Sequence, residues 1–367
     1  MGRTIVLSGG GTAGHINPAI ALAERLAEDG YDVRFAGTPD GLEARLVPEA
    51  GIDFTAFEAK GFDRKRPWTL VTGSAKIARS AERARKWFAG IEPACVVGFG
   101  GYVSIPVTHA AERLGIPVVV HEQNSVMGMA NRYVSKKASA VCLTYPLSEG
   151  MQDDWMVIGN PVRRAVMDAT REEGRSYLGI PDDATVLVVF GGSLGAQHLN
   201  TAIAAMKDDL LSIEGLHVVH VTGRNDHDRV VSELALDEAE SARWHVKEYE
   251  DRMGLVLAAA DAVVSRAGAT SLAEIAARDI PAVLVPYPFA RADHQTLNAR
   301  SYAESGAAVV IADSDVEGEG FHDAVMSIAS DGSVRQRMRE AAASVSALDA
   351  TTALAQVVES FAGRGVL

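Results

Sequence analysis

Ile5-Val6-Leu7-Ser8-Gly9-Gly10-Gly11-Thr12-Ala13-Gly14-His15 stands near the head of the chain, and Val186-Leu187-Val188-Val189-Phe190-Gly191-Gly192-Ser193-Leu194-Gly195-Ala196 repeats its pattern half a chain later. In each, a short apolar, β-branched run meets a glycine-rich turn and then a helical pattern. Glycine permits the tight turn and lets a phosphate approach the N–H groups of a helix start, so the pattern reads as the opening of a nucleotide-binding βαβ unit. Two such openings predict two Rossmann-like domains. Working outward, strand candidates fall at 4–7, 32–36, 95–99, 117–121, 140–143 and 156–158 in the first half. In the second they fall at 185–190, 217–221, 244–246, 262–264, 282–285 and 307–311. Most are continuously apolar rather than alternating, the mark of parallel strands covered on both faces. Helical patterns fill the gaps, so the class is α/β with two parallel-sheet domains. A seam at Gly159-Asn160-Pro161-Val162 predicts domains over 1–162 and 163–345, and residues 346–367 hold an Ala-rich helical tail whose packing partner composition does not reveal.

Composition bounds the function. The 367 residues are 47% hydrophobic and 23% charged, which excludes disordered and low-complexity classes. Two cysteines, Cys95 and Cys142, cannot build a disulfide framework or a thiolate cluster. The first strand begins at once, leaving no room for a signal peptide. The longest uncharged window, 93–111, is broken by Gly98, Gly100, Gly101 and Pro106, and reads as strand, loop and helix rather than a membrane span. A soluble intracellular protein is expected. The net charge of −13 lies wholly in the second half, and overall acidity argues against a nucleic-acid partner. Residues 60–86, from Lys60 to Lys86, run the other way, with nine basic residues against Asp63 and Glu82. Trp68, Leu70, Val71, Ile77, Trp87 and Phe88 interleave with them. Such a segment fits an anionic membrane surface; the plainer reading is a solvated helix with its apolar face in the core.

Several segments carry chemistry. In the first turn, Asn17 is an expected N-cap with Pro18 at the first helical position. His15, at the mouth of that turn, is placed to act as a general base. Gly98-Phe99-Gly100-Gly101-Tyr102-Val103-Ser104-Ile105-Pro106 is a second strand-end turn, read either as a plain helix start or as a phosphate cradle. His121-Glu122-Gln123-Asn124 follows a strand, at the carboxyl edge where open α/β sheets bind ligands. In the second half, Ser193 adds a hydroxyl donor to its glycine turn, and Arg163 offers a positive charge to the same anion. Arg266-Ala267-Gly268-Ala269-Thr270-Ser271-Leu272-Ala273-Glu274 opens another helix. Ser271 and Glu274 have capping-box spacing; the sharper reading puts a phosphate on the N–H groups near Ala269 and Thr270 and sugar hydroxyls on Glu274. Gln295 and Asn298, three residues apart on one helical face, suit a hydroxyl-rich ligand because amides both donate and accept. No metal-ligand spacing occurs, and no cofactor is expected.

Taken in order, these motifs resemble the MurG family of UDP-N-acetylglucosamine–N-acetylmuramyl-(pentapeptide) pyrophosphoryl-undecaprenol N-acetylglucosamine transferases. The resemblance covers residues 5 to about 308, departing at Ala13, where the family usually has glycine, and around Tyr249-Glu250. It implies a GT-B arrangement, two Rossmann-like domains facing across a deep cleft, with acceptor and membrane contacts in the first and donor in the second. It further implies an inverting transfer of N-acetylglucosamine from UDP-GlcNAc to the 4-hydroxyl of MurNAc in lipid I, giving lipid II in peptidoglycan synthesis. It places Thr12, Ala13, Gly14 and Asn124 at the donor sugar, and Glu250 near uracil. The first-domain turns, Gly11, Gly100, Gly101 and Tyr102, are then candidates for the lipid's own diphosphate. The expected setting is the cytoplasmic face of the membrane, with other cell-wall synthesis proteins as possible partners. Competing readings are a hydrolysing UDP-GlcNAc 2-epimerase, an NAD-dependent oxidoreductase supported only by the first glycine motif, and a non-catalytic nucleotide-sugar binding protein.

Overall fold

The apolar runs form two all-parallel sheets in a computed structural model that describes residues 3–59, 68–192, 196–343 and 349–363, and side chains outside 68–75. The predicted sites at Ser193 and at residues 60–67 lie outside the described residues. The chain divides into two compact units, Met1–Arg163 with Leu348–Leu367, and Arg164–Ala347.

Unit 1 contains β1 (Thr4–Gly9), β2 (Asp32–Gly37), β3 (Asp53–Ala56), β4 (Cys95–Gly100), β5 (Val118–Glu122), β6 (Ala140–Leu143) and β7 (Met156–Val157), in spatial order β3-β2-β1-β4-β5-β6-β7. β3 has no counterpart among the expected strands. It is a four-residue edge strand that begins on an exposed Asp53. β1, in contrast, is buried along its whole length. One face of this sheet packs Ile16, Ile20 and Leu26 of the helix Ala13–Glu28 against Ile5, Leu7 and Val97, and the other packs Val107, Ala111 and Phe88 against Val6, Val96 and Val120.

The tail helix, Ala350–Ala362, returns to unit 1. Its Leu354, Ala355, Val358 and Ala362 join the first of those clusters, each large apolar side chain contributing ~1.5–3 kcal/mol on burial. Its N-terminus is tied to the seam, where Val162 N–H donates to Thr351 Oγ1 at 3.2 Å. Gly159 has φ +89°, and a Cβ there would lie 3.0 Å from Ala350 Cβ, so the seam needs glycine for both conformation and space.

Unit 2 contains β8 (Thr185–Phe190), β9 (Leu216–Val221), β10 (Trp244–Lys247), β11 (Ala262–Ser265), β12 (Ala282–Leu284) and β13 (Ala308–Val310), in the order β10-β9-β8-β11-β12-β13. Its core gathers Leu187, Val189, Leu199, Ile203, Val218, Trp244, Val264 and Phe321.

In both sheets the strand order reverses once, between β1 and β4 and between β8 and β11. Loops leave in opposite directions at such a point and open a crevice at the carboxyl ends of the strands, where doubly wound folds bind their ligands. The glycine-rich motifs sit at these two reversals.

Candidate active site

In unit 1 the pairing of β1 with β4 shifts register after Ser8, so Gly9 meets Gly100. The two turns touch there. A Cβ on Gly101 would lie 2.5 Å from the Gly10 carbonyl oxygen, and one on Gly100 would lie 3.2 Å from the His15 ring; both glycines have positive φ. Gly11, Gly100 and Gly101, named separately from sequence, therefore share one place, with Tyr102 next in line.

The helix begins earlier than expected. Thr12, in extended conformation, is its N-cap, and Ala13 and Gly14 are its first residues; Pro18 lies inside. Asn17 is thus no cap. Pro18 gives the helix no N–H at that position and leaves the Gly14 carbonyl without its usual intrahelical partner. Ala13 sits in a helical position, so replacing the family's glycine asks nothing of the backbone.

His15 faces the turn from the first helical turn. Its Nδ1 is 2.9 Å from Gly10 O and 3.3 Å from Thr12 Oγ1. A carbonyl can only accept, so Nδ1 carries a proton, and in the neutral ring the lone pair is on Nε2. The Gly11 N–H does not point freely at a ligand. It donates to Oε2 of Glu43 at 3.2 Å, a fully buried carboxylate that sequence reading did not single out.

The 121–124 segment divides by role. His121 is buried, and burial pushes its imidazole down to about 4. Its Nε2–H donates to Gly159 O at 3.0 Å, and its Nδ1 accepts from Gln123 Nε2 at 3.2 Å. It therefore braces the seam in a neutral form. Glu122, also buried, accepts at Oε1 from Asn124 N at 3.1 Å, and at Oε2 from Gly128 N and Asn131 Nδ2, both at 2.9 Å. It thereby fixes the loop that presents Asn124.

In unit 2, Gly192 has φ +93°, and the next described helix is Gln197–Ala205. Across the reversal, the helix Ala269–Ala277 is capped by Gly268, not by Ser271, so the capping-box reading fails: Ser271 and Glu274 are interior helical residues. Ala269 and Thr270 occupy the first two helical positions, where intrahelical acceptors for N–H groups are lacking. Thr270 Oγ1 is buried with no hydrogen-bond partner among the described residues. Glu274 is nearly buried one turn on.

Arg266 does not reach outward. Its guanidinium donates to Val285 O and Pro286 O, each at 3.2 Å, and pairs with Asp313. Asp313 also accepts from His198 Nδ1 at 3.0 Å, an interaction that raises the His198 pKa. One carboxylate thus ties the two strand-end segments together. Behind them, fully buried Asn200 donates to Thr222 O at 2.9 Å and to Asp226 Oδ2 at 2.6 Å, and accepts from His220 Nε2 at 3.0 Å.

Gln295 and Asn298 do share a face of the helix His294–Ala303. Gln295 Oε1 accepts from Tyr287 N–H at 2.9 Å, which leaves its amide NH₂ to donate, while Asn298 is fully buried behind it. Two expectations change. Arg163 closes unit 1 and faces Glu24 at 3.5 Å rather than opening the second domain. The Glu250 carboxylate is already taken, by Lys247 Nζ at 2.8 Å, Tyr177 OH at 3.0 Å and Arg252 N at 2.7 Å. Burial is the largest influence and opposes its charge, but the bonds from Lys247, Arg252 and Tyr177 and the Lys247 charge together outweigh it, so its pKa is lowered. A contact to a base by that side chain would break this cluster.

The basic segment continues into the helix Trp68–Ile91. Phe88 is core, packed with Val96 and Val107, so the plainer reading holds for that residue. Trp87 is half-buried, its ring 5.4 Å from that of Phe57. Arg85 pairs with Glu82, and Lys76 with Glu58; Arg79, Arg83 and Lys86 are exposed. Among the described residues, no helix is long and apolar enough to cross a membrane, and no three acidic, His or Cys side chains gather as a metal site.

Residues 5–143 match the glycosyltransferase family 28 N-terminal domain and residues 186–354 its C-terminal domain. The enzyme named UDP-N-acetylglucosamine–N-acetylmuramyl-(pentapeptide) pyrophosphoryl-undecaprenol N-acetylglucosamine transferase of Halothermothrix orenii is 38% identical, over 92% of this chain and 93% of its own. The enzyme of the same name from Salinibacter ruber is 38% identical over 98% and 97%. A crystal structure of Acinetobacter baumannii MurG superposes with a TM-score of 0.74 at 27% identity, covering 98% of this chain and 99% of that one. With its two parallel-sheet, Rossmann-like domains of GT-B type, the chain belongs to the MurG family of these N-acetylglucosamine transferases.

Proposed function

We propose that this chain transfers N-acetylglucosamine from UDP-GlcNAc to the 4-hydroxyl of MurNAc in undecaprenyl-pyrophosphoryl-MurNAc-pentapeptide, lipid I, inverting the anomeric centre and giving lipid II for peptidoglycan synthesis. What carries the reading is that the kinship runs through both sheet reversals, where His15 and the Ala269–Thr270 helix start sit. In one displacement the acceptor oxygen bonds to the anomeric carbon, the bond to the diphosphate oxygen breaks with its electron pair leaving on UDP, and the hydroxyl proton moves to His15 Nε2. The Nδ1–H bond to Gly10 O supports this role, because it keeps Nε2 free to accept. A positioned base of this kind supplies ~10²–10⁴-fold in rate.

The leaving diphosphate gathers charge that the Ala269–Thr270 helix start, the Thr270 hydroxyl and Ser193 are suited to receive. Arg163, held by Glu24, adds positive potential only if that pair opens. Glu274 accepts from ribose hydroxyls, and the Gln295 amide, backed by Asn298, donates to sugar hydroxyls. Thr12, Ala13, Gly14 and Asn124 serve the donor sugar from unit 1. Gly100, Gly101 and Tyr102 take the lipid diphosphate; Gly11 contributes its shape, since its N–H is committed to Glu43. Uracil is read by backbone near Tyr249 rather than by the Glu250 carboxylate.

The lipid acceptor requires a membrane visit at the cytoplasmic face. Exposed Arg79, Arg83 and Lys86, together with the basic residues from Lys60 on, support it, at roughly 1 kcal/mol per cation near anionic lipid. Vesicle binding that rises with anionic lipid and falls with salt is expected, and equal binding to neutral vesicles would remove the electrostatic part. The reaction itself is tested by incubating the protein with labelled UDP-GlcNAc and a lipid I analogue. Label in the disaccharide product is expected; UDP binding without transfer, or no UDP binding, would overturn the reading.

A further inference from the structure

The turn in unit 1 rests on a carboxylate that the displacement does not use. Glu43, fully buried at the first position of the helix Glu43–Glu49, places Oε2 3.2 Å from Gly11 N, and Oε1 2.9 Å from Thr38 N and 2.6 Å from Thr38 Oγ1. Its chamber is made of glycine. A Cβ on Gly10, Gly37 or Gly41 would lie 2.3, 2.5 or 2.4 Å from its side-chain atoms. The backbone from three segments is shaped around this one side chain.

The Gly11 N–H and the Gly10 C=O belong to a single peptide unit, whose planarity points its two polar ends in opposite directions. The N–H end meets Glu43, and the oxygen end lies 2.9 Å from His15 Nδ1. Gly11 has φ +87°, a left-handed conformation that a residue with a Cβ rarely adopts. Gly101 packs against the same carbonyl oxygen from the other turn.

We propose that Glu43 is a positioning residue for His15, acting through the Gly10–Gly11 peptide; the inference rests on the reading of His15 as the base. An amide whose N–H donates to a carboxylate is polarised, and its carbonyl becomes the stronger acceptor. That carbonyl holds the proton on Nδ1, keeps the lone pair on Nε2, and stabilises the imidazolium formed when Nε2 takes the acceptor proton. It is a carboxylate–imidazole pair with one peptide unit between the partners. No proton reaches Glu43: the Gly11 amide keeps its hydrogen, and the transferred proton ends on Nε2.

Selective ¹⁵N-histidine labelling of the whole protein, with His15→Ala to assign the ring, reads the arrangement directly. The neutral His15 ring of the wild-type protein is expected as the Nδ1–H tautomer, and in Glu43→Gln the two tautomers should mix. Glu43→Gln should lower kcat on the order of 10- to 100-fold, part of what a positioned base supplies, with KM for UDP-GlcNAc within about twofold, and Glu43→Asp should recover part of the loss. In a His15→Ala background, Glu43→Gln should cost nothing further, as two groups acting through one step are not additive. A wild-type ring mainly in the Nε2–H form would overturn the proposal with no variant needed, so a misfolded Glu43→Gln leaves it decidable. An equal loss from Glu43→Gln with and without His15 would overturn it too. Normal turnover in His15→Ala would remove the base reading and its catalytic consequence, while the tautomer would still report whether the carboxylate governs the ring.

Discussion

At the reversal between β1 and β4, a glycine turn carries a half-buried imidazole and rests on a buried carboxylate. At the reversal between β8 and β11, the comparable place offers a helix start whose threonine hydroxyl has no partner among the described residues, and one nearby carboxylate, Asp313, is matched by Arg266 and His198. The backbone device is the same and its chemical furnishing differs. The buried carboxylate that accepts the Gly11 N–H keeps that one amide from meeting a phosphate. The same carboxylate suits a site that must hold and orient an imidazole. The second site, with its acid neutralised, is free to receive an anion. The doubly wound fold supplies the crevice twice, and the side chains beneath each turn differ.

The largest expected effect follows from this division. His15→Ala should lower kcat by ~10²–10⁴-fold, with UDP affinity by calorimetry within about threefold, because the residue stands in unit 1 while the proposed contacts to the UDP diphosphate lie in unit 2. Parallel losses in turnover and UDP binding would erase the distinction between the sites. Glu274→Gln should do the reverse. Hydrogen bonds to a charged group contribute ~1.5–3 kcal/mol, so KM for UDP-GlcNAc should rise on the order of tenfold with kcat little changed; a fall confined to kcat would move Glu274 out of the donor site.

The two reversals also differ in how far sequence exposes them. β8 is legible because Val186 to Phe190 are buried on both faces, and continuous burial leaves a run of apolar residues. β3 is not, because an edge strand that starts on an exposed aspartate needs no such run. The turn at His15 is legible as a glycine motif, but its details are not local. The helix starts at Ala13 rather than Pro18, and the turn is shaped by Glu43, a residue in another βα segment. No spacing rule links Gly11 to Glu43. The surroundings of Arg266 are not local either: carbonyls of Val285 and Pro286 and the Asp313 carboxylate hold it, partners brought by chain segments that local pattern does not connect.

Each unit also buries a histidine, and these compare the units by pH. Burial pushes His121 down to about 4 and His220 to about 3, with Asp226 and Arg229 acting oppositely on the latter. A histidine lowered in the folded state protonates first in the unfolded chain. Its stabilising contribution is therefore complete above the unfolded value of ~6.5 and is lost as pH falls toward the folded one. Between about pH 7 and about pH 5 each should cost ~2 kcal/mol. His198 and His322 are raised, chiefly by hydrogen bonds to Asp313 and Asp209, and push the other way, weakly, because solvent screens them. In denaturant titrations, His121→Gln should flatten the acid loss of the unit 1 transition and His220→Gln that of unit 2. An unchanged pH slope in either variant would show that the ring is not the group being titrated.

The smallest effect is the sharpest test of the unit 2 site, because its two readouts should move differently. Thr270→Val keeps the β-branched shape and the helix preference that goes with it, and removes only a hydroxyl that is buried without a partner among the described residues. A buried polar atom left unsatisfied is a cost to the folded protein, so stability should stay level or rise by up to ~1 kcal/mol. If that hydroxyl donates to the UDP diphosphate, the same substitution should weaken UDP-GlcNAc binding about fivefold, close to the ~1 kcal/mol net value of one hydrogen bond. A drop in stability without a drop in affinity would mean that the hydroxyl serves the fold. Stability held or raised while affinity falls is what a group kept unsatisfied for a ligand must show, and it would leave the helix start at Ala269 and Thr270 as the anion-receiving counterpart of the turn at His15.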